Sequence, residues 1–259
     1  MPFAQTEDVR IHYDLAGRAN SPVLVLSNSL GTDFSMWDSQ TPAFQKSFRV
    51  LRCDTRGHGL SDVTPGPYTI ELLGRDVLAF LDRLHLDRVH FCGLSMGGMI
   101  GMWLAINAPN RLHKLVLCNT AVKIGTPEVW GARIDAVTKG GMKSISQGVI
   151  ERWFTAPFRA KSPQVIAATQ RMIESTNPKG YIANCAAVRD FDAREQVGGI
   201  RVPTLVICGT HDPATTPVDA RFLGDRIPGA RIAELNAAHL SNIEDSERFN
   251  AEVSSFLLA

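Results

Sequence analysis

Short apolar runs recur along the chain, and longer stretches between them repeat apolar residues every three or four positions. The runs occupy residues 23–26, 50–53, 89–92, 115–118, 205–208 and 230–235. Most are almost continuously apolar, which is typical of parallel strands covered on both faces. The stretches predict helices at residues 36–44, 69–84, 97–107, 217–226 and 246–258. This alternation predicts an α/β fold with a mostly parallel, doubly wound sheet.

Two regions depart from the alternation. Residues 2–15 show two alternating segments that end before Gly17 and predict an antiparallel hairpin. Residues 121–199 contain no strand-like run, and their helical pattern is interrupted by Pro and Gly. We therefore expect a helical cap subdomain at 121–199, inserted into a core formed by residues 1–120 and 200–259. Since sites in such sheets form at the carboxyl ends of the strands, the cap is expected to cover those ends.

The composition fits one globular domain with an insertion. The chain has 259 residues, of which 44% are hydrophobic and 20% are charged. Its net charge of +1 does not favour a nucleic acid or a membrane surface as partner. No basic region followed by an apolar stretch opens the chain, and no apolar run is long enough to cross a bilayer. The five cysteines lack C-x-x-C spacing, so we expect buried thiols in a cytoplasmic protein.

Charge is distributed unevenly between the predicted cap and the rest. Residues 121–199 carry 11 Lys and Arg against 7 Asp and Glu, a net charge of +4, whereas the remainder carries −3. A solvated basic face explains such a difference, and so does a lid over an anionic substrate.

The segment Gly93-Leu94-Ser95-Met96-Gly97 carries the strongest chemical signal. It follows a predicted buried strand and precedes a predicted helix. A serine between two glycines at a strand-to-helix corner is the G-x-S-x-G nucleophile elbow, in which the hydroxyl is exposed on a sharp, strained turn. Because Gly and Ser are common residues, this pattern also arises by chance. Its assignment as a nucleophile therefore depends on suitable catalytic partners elsewhere in the chain.

A serine nucleophile needs a base, and the base needs an orienting acid. In hydrolases with this elbow the chain order is serine, acid, histidine. Of seven histidines, His239 follows the last predicted strand, and Asp212 follows the strand before it. The turn after residues 115–118 holds no carboxylate. We therefore predict Ser95 as nucleophile, His239 as base and Asp212 as acid.

Two backbone N–H groups are expected to form an oxyanion hole. One belongs to Met96, directly after the serine. The other belongs to Leu30, in the loop after the strand at 23–26.

Nearly the whole chain resembles the α/β-hydrolase family. The resemblance rests on segments 28–32, 54–61, 93–98, 123–127 and 132–134. Many members carry His-Gly where this chain has Ser29-Leu30; the donor there is a backbone group, so the change does not abolish the oxyanion hole. The Ser29-Leu30 pair points to a subgroup of the family, and the five segments together resemble the enol-lactonases. The family uses no cofactor, and nothing in the sequence suggests a metal.

The resemblance implies a small anionic lactone as substrate. Ser95 would open the enol-lactone of 3-oxoadipate, giving 3-oxoadipate through an acyl-enzyme, as in the catabolism of aromatic compounds. Arg133 is the candidate counter-charge for the substrate carboxylate, because a guanidinium grips a carboxylate bidentately. Ser29, Trp130 and Trp153 are the other candidate substrate-binding residues. On spacing alone, a solvent-facing Arg133 and simple packing of the tryptophans remain open.

Other functions are compatible with the same triad. Aspartate-nucleophile relatives are disfavoured, because Ser95 holds the elbow. A carbon–carbon bond hydrolase needs a larger, more aromatic pocket, and only 7% of this chain is aromatic. A general carboxylesterase and, more distantly, a non-catalytic ligand receptor also remain open. The sequence does not reveal the oligomeric state.

Overall fold

A single twisted sheet runs through the computed structural model, which describes residues 2–259 and contains eight strands within that range. The strands are β1 (Phe3–Gln5), β2 (Arg10–Ala16), β3 (Val23–Ser27), β4 (Arg49–Cys53), β5 (Val89–Leu94), β6 (Leu112–Cys118), β7 (Thr204–Gly209) and β8 (Arg231–Leu235). Their spatial order is β1-β2-β4-β3-β5-β6-β7-β8. β2 pairs antiparallel with β1 and β4, and all other pairs are parallel. The predicted mostly parallel α/β architecture is confirmed.

Burial explains why the central strands are readable in the sequence. Every residue of β3, β5 and β7 is buried, because helices cover both faces of the sheet. Near-continuous apolar runs are therefore required there. The edge strand β8 alternates between exposed and buried positions instead.

The helices follow the strands in alternation. They are α1 (Thr41–Phe44), α2 (Ile70–Arg83), α3 (Met96–Asn107), α4 (Pro127–Gly140), α5 (Lys143–Trp153), α6 (Ala156–Lys161), α7 (Pro163–Ser175), α8 (Pro178–Asp190), α9 (Pro217–Arg226), α10 (Ser241–Glu244) and α11 (Ser246–Leu258). The side chain of Thr69 caps α2 by accepting from the N–H of Leu72, and α2 buries one apolar stripe against the core. No helix among residues 2–259 is long and apolar enough to cross a membrane.

The helix predicted at residues 36–44 is wrong as one continuous element. The structure has a 3-10 turn at Phe34–Trp37 and then the separate helix α1. Pro42 lies in the first turn of α1, where its missing N–H costs nothing. In the interior of a longer helix the same proline would remove a backbone hydrogen bond and clash with the preceding turn.

Helices α4 to α8, here called the cap segment, lie between β6 and β7. They pack mainly on one another, α4 on α5 and α8, and α5 on α7. Hydrogen bonds also join the segment to the strand-end loops: the Thr176 hydroxyl donates to the carbonyl of Gly31, and the N–H of Leu240 donates to the carbonyl of Trp153. We propose residues 121–199 as a subdomain beside a core of residues 1–120 and 200–259, of which Met1 lies outside the described range.

Candidate active site

Ser95 lies at the sharp corner between β5 and α3. Its backbone has φ 57° and ψ −113°, a conformation that residues with a Cβ rarely adopt. Two hydrogen bonds hold it there: the Ser95 N–H donates to the carbonyl of Cys118 at 2.9 Å, and the Thr120 hydroxyl donates to the Ser95 carbonyl at 2.7 Å. The neighbouring strand β6 thus supports the strained turn.

The two glycines of the elbow are required by close backbone contacts. A Cβ on Gly93 would lie 2.7 Å from the nitrogen of Gly98, and a Cβ on Gly97 would lie 2.6 Å from the carbonyl carbon of Ser27. Neither position leaves room for any side chain. The G-x-S-x-G spacing therefore reflects the packing of α3 against β5 and β3.

The predicted base and acid form a buried pair. His239 Nδ1 lies 2.7 Å from Asp212 Oδ2, and the Asp212 side chain is fully buried. The loop after β7 holds the other carboxylate oxygen, because the N–H groups of Ala214 and Thr215 both donate to Oδ1. Burial tends to raise the pKa of Asp212, but the attraction of His239 and the hydrogen bonds outweigh it and lower the pKa to about 2. The carboxylate is thus ionised and able to orient the imidazole.

Asn119 and Thr215 also contact the acid, and sequence position alone did not single them out. Asn119 Nδ2 donates to Asp212 Oδ2 at 3.0 Å, while its Oδ1 accepts from the hydroxyl of Ser241 at 2.6 Å. The Thr215 hydroxyl donates to Asp212 Oδ2 at 2.6 Å. The only sequence signal for Asn119 was a polar residue at the end of β6.

The two predicted oxyanion donors lie in the loop after β3 and at the first residue of α3, and a hydrogen bond joins these two segments. The N–H of Gly97, directly after Met96, donates to the carbonyl of Asn28 at 3.0 Å. Within residues 2–259, neither the Leu30 N–H nor the Met96 N–H donates to a protein acceptor. Because buried N–H groups are normally paired, both are available to a bound oxygen atom.

Segment 54–61 supports the loop that carries Leu30. Gly31 donates its N–H to Nε2 of His58 at 2.9 Å, so this nitrogen accepts and the imidazole is neutral. Burial lowers the pKa of His58 to about 4. Asp54 accepts from the N–H groups of Phe34 and Leu60 and pairs with His12 at 2.7 Å. These contacts order the loop around the oxyanion donors.

A cavity of about 230 Å³ opens between the strand ends and the cap segment. Seven predicted site residues line it, namely Ser29, Leu30, Ser95, Trp130, Arg133, Trp153 and His239. Asp212 lies behind His239, and the side chain of Met96 is buried. The ring of Trp153 stacks on that of His239 at 6.5 Å between centroids. The fold thus gathers residues from distant parts of the chain around one cavity.

The cavity is cationic. Arg133 places its guanidinium over the ring of Trp130 at 4.9 Å, and Trp130 is held by a 2.7 Å hydrogen bond from Nε1 to the carbonyl of Ile124. Arg152, which the sequence did not single out, lines the same cavity. Among residues 2–259, no carboxylate side chain lines this cavity. Two positive charges without an acidic partner favour an anionic ligand.

Chemically, the arrangement suits acyl transfer. A hydroxyl on a strained turn, an imidazole oriented by an ionised carboxylate and two free N–H groups are the parts that such a reaction needs. Within residues 2–259, no group of three or more His, Cys, Asp or Glu side chains is arranged to hold a metal ion.

Comparison with known proteins supports the same conclusion about family. Residues 22–139 match the model of the alpha/beta hydrolase fold family. The chain is 41% identical over 251 residues to 3-oxoadipate enol-lactonase 2 of Acinetobacter baylyi, covering 97% of this chain and 94% of that protein. The crystal structure of the enol-lactonase from Burkholderia xenovorans LB400 superposes with a TM-score of 0.98 at 47% identity, with full coverage of both chains.

An esterase from Thermogutta terrifontis, solved with malate bound, is more distant. It has a TM-score of 0.92 at 27% identity and covers 99% of this chain and 97% of that chain. The similarity therefore spans the whole chain, including the cap segment. By fold, elbow and relatives together, this chain belongs to the α/β-hydrolase family.

Proposed function

We propose that this protein is a serine hydrolase that opens the enol-lactone of 3-oxoadipate to 3-oxoadipate, in the catabolism of aromatic compounds. The observation that carries the proposal is one small cavity in which Ser95 and His239 face two guanidinium groups and no carboxylate. The similarity to proteins named as enol-lactonases, at 41% and 47% identity, supports it.

Acylation begins with attack of the Ser95 hydroxyl oxygen on the lactone carbonyl carbon. His239 accepts the hydroxyl proton on Nε2, while Asp212 holds the Nδ1–H and stabilises the imidazolium. The carbonyl oxygen becomes an oxyanion and binds the N–H groups of Leu30 and Met96. These two donors need no reorganisation, because the loop of Leu30 and the start of α3 are already hydrogen-bonded together.

Ring opening follows when the tetrahedral intermediate collapses. The bond between the acyl carbon and the ring oxygen breaks, and the leaving group is an enolate. His239 returns a proton to it, and the enol tautomerises to the ketone. Water then attacks the acyl-enzyme, His239 accepts a proton from that water, and the Ser95 ester is cleaved to release the new carboxylate.

The cap segment and the Leu30 loop supply the substrate contacts. Arg133, whose guanidinium lies over the ring of Trp130, binds the side-chain carboxylate. Trp130 and Trp153 form apolar walls, and Ser29 lines the cavity beside Leu30. The substrate is therefore held at both ends, with its carbonyl at Ser95.

A carbon–carbon bond hydrolase is the main alternative with the same triad. Ligand pockets commonly measure about 300–1,000 Å³. A cavity of about 230 Å³ favours a small lactone over a substituted aromatic ring-cleavage product.

The test is an assay of enol-lactone hydrolysis, in which the decrease in the ultraviolet absorbance of the lactone is measured. We expect the native protein to open the lactone and Ser95→Ala to lose about 10⁵- to 10⁶-fold in kcat. Ser255→Ala, at an exposed position of α11, is the matched control and should retain native activity. The proposal would be contradicted if the native protein left the lactone intact but cleaved a carbon–carbon bond in the products of aromatic ring cleavage.

A further inference from the structure

Arg152 is a half-buried cation on the last turn of α5 that faces the cavity of Ser95 and His239. Its side chain runs back along the helix, since a Cβ on Gly148 would lie 3.6 Å from Arg152 Nη1. Within residues 2–259, Arg152 has no hydrogen-bond acceptor and no carboxylate within ion-pair distance. The guanidinium is thus directed at the cavity without a protein partner.

The fully buried arginines, in contrast, are paired with carboxylates. Arg56 binds Asp76 through two nitrogens, at 2.7 and 2.5 Å, and Arg52 binds Asp14 at 2.8 Å. Charges withdrawn from water normally acquire such partners, because an unpaired one loses solvation without compensation. Arg152 is only half-buried, so water can reach its guanidinium, and the group is free to bind an anion that enters the cavity.

The neighbouring cation strengthens this conclusion. Burial lowers the pKa of Arg152, and the positive charge of Arg133 lowers it further. Two like charges facing one cavity repel each other, and a carboxylate between them would relieve the repulsion. Arg133 lies on α4 and Arg152 on α5, so the two guanidinium groups can donate hydrogen bonds from different directions.

We propose that Arg152 determines substrate specificity by forming, with Arg133, a dicationic subsite for the carboxylate at the end of the substrate remote from Ser95. This inference rests on the proposed function for its substrate. It also predicts a ligand class, because a cavity lined both by two guanidinium groups and by oxyanion donors is suited to short dicarboxylates. Adipate, which has the six-carbon dicarboxylate skeleton of the proposed product, is the probe.

The kinetic experiment compares the carboxylated enol-lactone with its neutral methyl ester. Arg152→Gln should lower kcat/KM for the carboxylated lactone about 10- to 100-fold, the loss of one charge-assisted contact. For the methyl ester we expect a change within about twofold of native. Arg171→Gln is the matched control, because it removes one positive charge from an exposed position of α7 that does not line the cavity. It should behave as native on both substrates.

A binding experiment tests the subsite without turnover. Adipate should bind the native protein more tightly than hexanoate, its single-carboxylate counterpart, in calorimetry, and Arg152→Gln should remove most of that difference. Arg152→Lys keeps the positive charge but cannot bind a carboxylate bidentately, so it should retain part of the preference for adipate. This variant replaces Arg152→Gln if the glutamine variant does not fold.

Three results would overturn the inference. They are equal losses on the carboxylated and neutral substrates, equal effects of Arg152→Gln and Arg171→Gln, or equal binding of adipate and hexanoate by the native protein. Failure of the native protein to open the lactone would instead reject the proposed function, and the adipate comparison would still decide whether the subsite exists.

Discussion

The backbone N–H of Gly97 donates a hydrogen bond to the carbonyl oxygen of Asn28, with 3.0 Å between nitrogen and oxygen. Asn28 is buried, and both polar atoms of its side chain are hydrogen-bonded: Nδ2 donates to the carbonyl of Cys53, and Oδ1 accepts from Nε1 of Trp37, both at 2.9 Å. The loop after β3 is therefore fastened to the elbow through the backbone. This fastening sets the spacing between the two N–H groups that we propose to bind the oxyanion.

Gly97→Ala should destabilise the protein, because the new Cβ would collide with the backbone of Ser27. We expect the free energy of unfolding to fall by about 1–3 kcal/mol, as for overpacked core positions, measured by chemical denaturation. Gly131→Ala in α4 is the control, because a Cβ there meets no atom within 4 Å. It should be neutral or stabilising by up to about 1 kcal/mol through helix propensity. Equal effects of the two substitutions would argue against the close contact.

Asn119→Ala should raise the pKa of Asp212 above its native value of about 2, because one donor to the carboxylate is lost. A depressed acid pKa stabilises the folded state above the unfolded pKa, about 3.9, and this stability is lost as pH falls through the folded value. The variant should therefore be less stable than native above pH 4, by about 1 kcal/mol. Its deficit should shrink as the pH falls toward 2.

Thermal unfolding of Asn119→Ala and native protein between pH 7 and pH 2 measures this difference. Asn107→Ala, at an exposed position of α3, should show no comparable pH dependence. A deficit for Asn119→Ala that is constant across the range would mean that Asn119 contributes only packing.

His58 should make stability depend on pH in a different window. Burial lowers its pKa from the ordinary 6.5 to about 4, so between these values the unfolded chain binds the proton more readily. Its contribution is complete above pH 6.5 and is lost as pH falls through 4. His58→Gln should therefore reduce the loss of stability across this pH window. Part of the loss should remain, because burial also lowers the pKa of His90 to about 4.

The measurement is denaturant unfolding of native and His58→Gln protein at several pH values from 4 to 7. The variant should also lose activity, because the loop of Leu30 loses the imidazole that accepts from Gly31. An unchanged slope of stability against pH would show that His58 is not the titrating group.

Glu244 should position His239 through the flanking backbone. Its carboxylate accepts from the N–H of Ala238 at 2.9 Å and from the N–H and hydroxyl of Thr155 at the cap segment. Glu244→Ala leaves these donors unpaired, so we expect kcat to fall with little change in KM and stability to drop by about 1–3 kcal/mol. Glu247→Ala, an exposed acid on α11, is the control. A rise in KM at constant kcat would indicate a role in substrate binding instead.

The alternation of elements could be predicted from the sequence because strand and helix signals are local. All six apolar runs became strands β3 to β8, since central strands buried on both faces must be apolar at nearly every position. The elbow was equally visible, because its glycines are required by contacts that accompany the turn itself. The helix predicted at residues 36–44 was wrong, and the only sign of the break in the sequence was Pro42.

The chemistry at the strand ends was accessible from residue type and chain order. Residue type and chain order predict Ser95, Asp212 and His239 as the triad, and the structure brings Asp212 and His239 into contact. Asn119, by comparison, lies 93 positions from Asp212 and has an ordinary residue type for a turn. Its contact with the carboxylate exists only because β6 and β7 are neighbours in the sheet.

The sequence by itself determined the order of strands and helices, the strained elbow and the residue types that suit acyl transfer. Only the tertiary structure decided which polar groups surround them. His58 became an acceptor for Gly31, and Arg152 became an unpartnered cation, through packing between segments that are distant in the chain. Local patterns record what each element buries, whereas the charge and hydrogen bonding of a cavity depend on which elements meet around it.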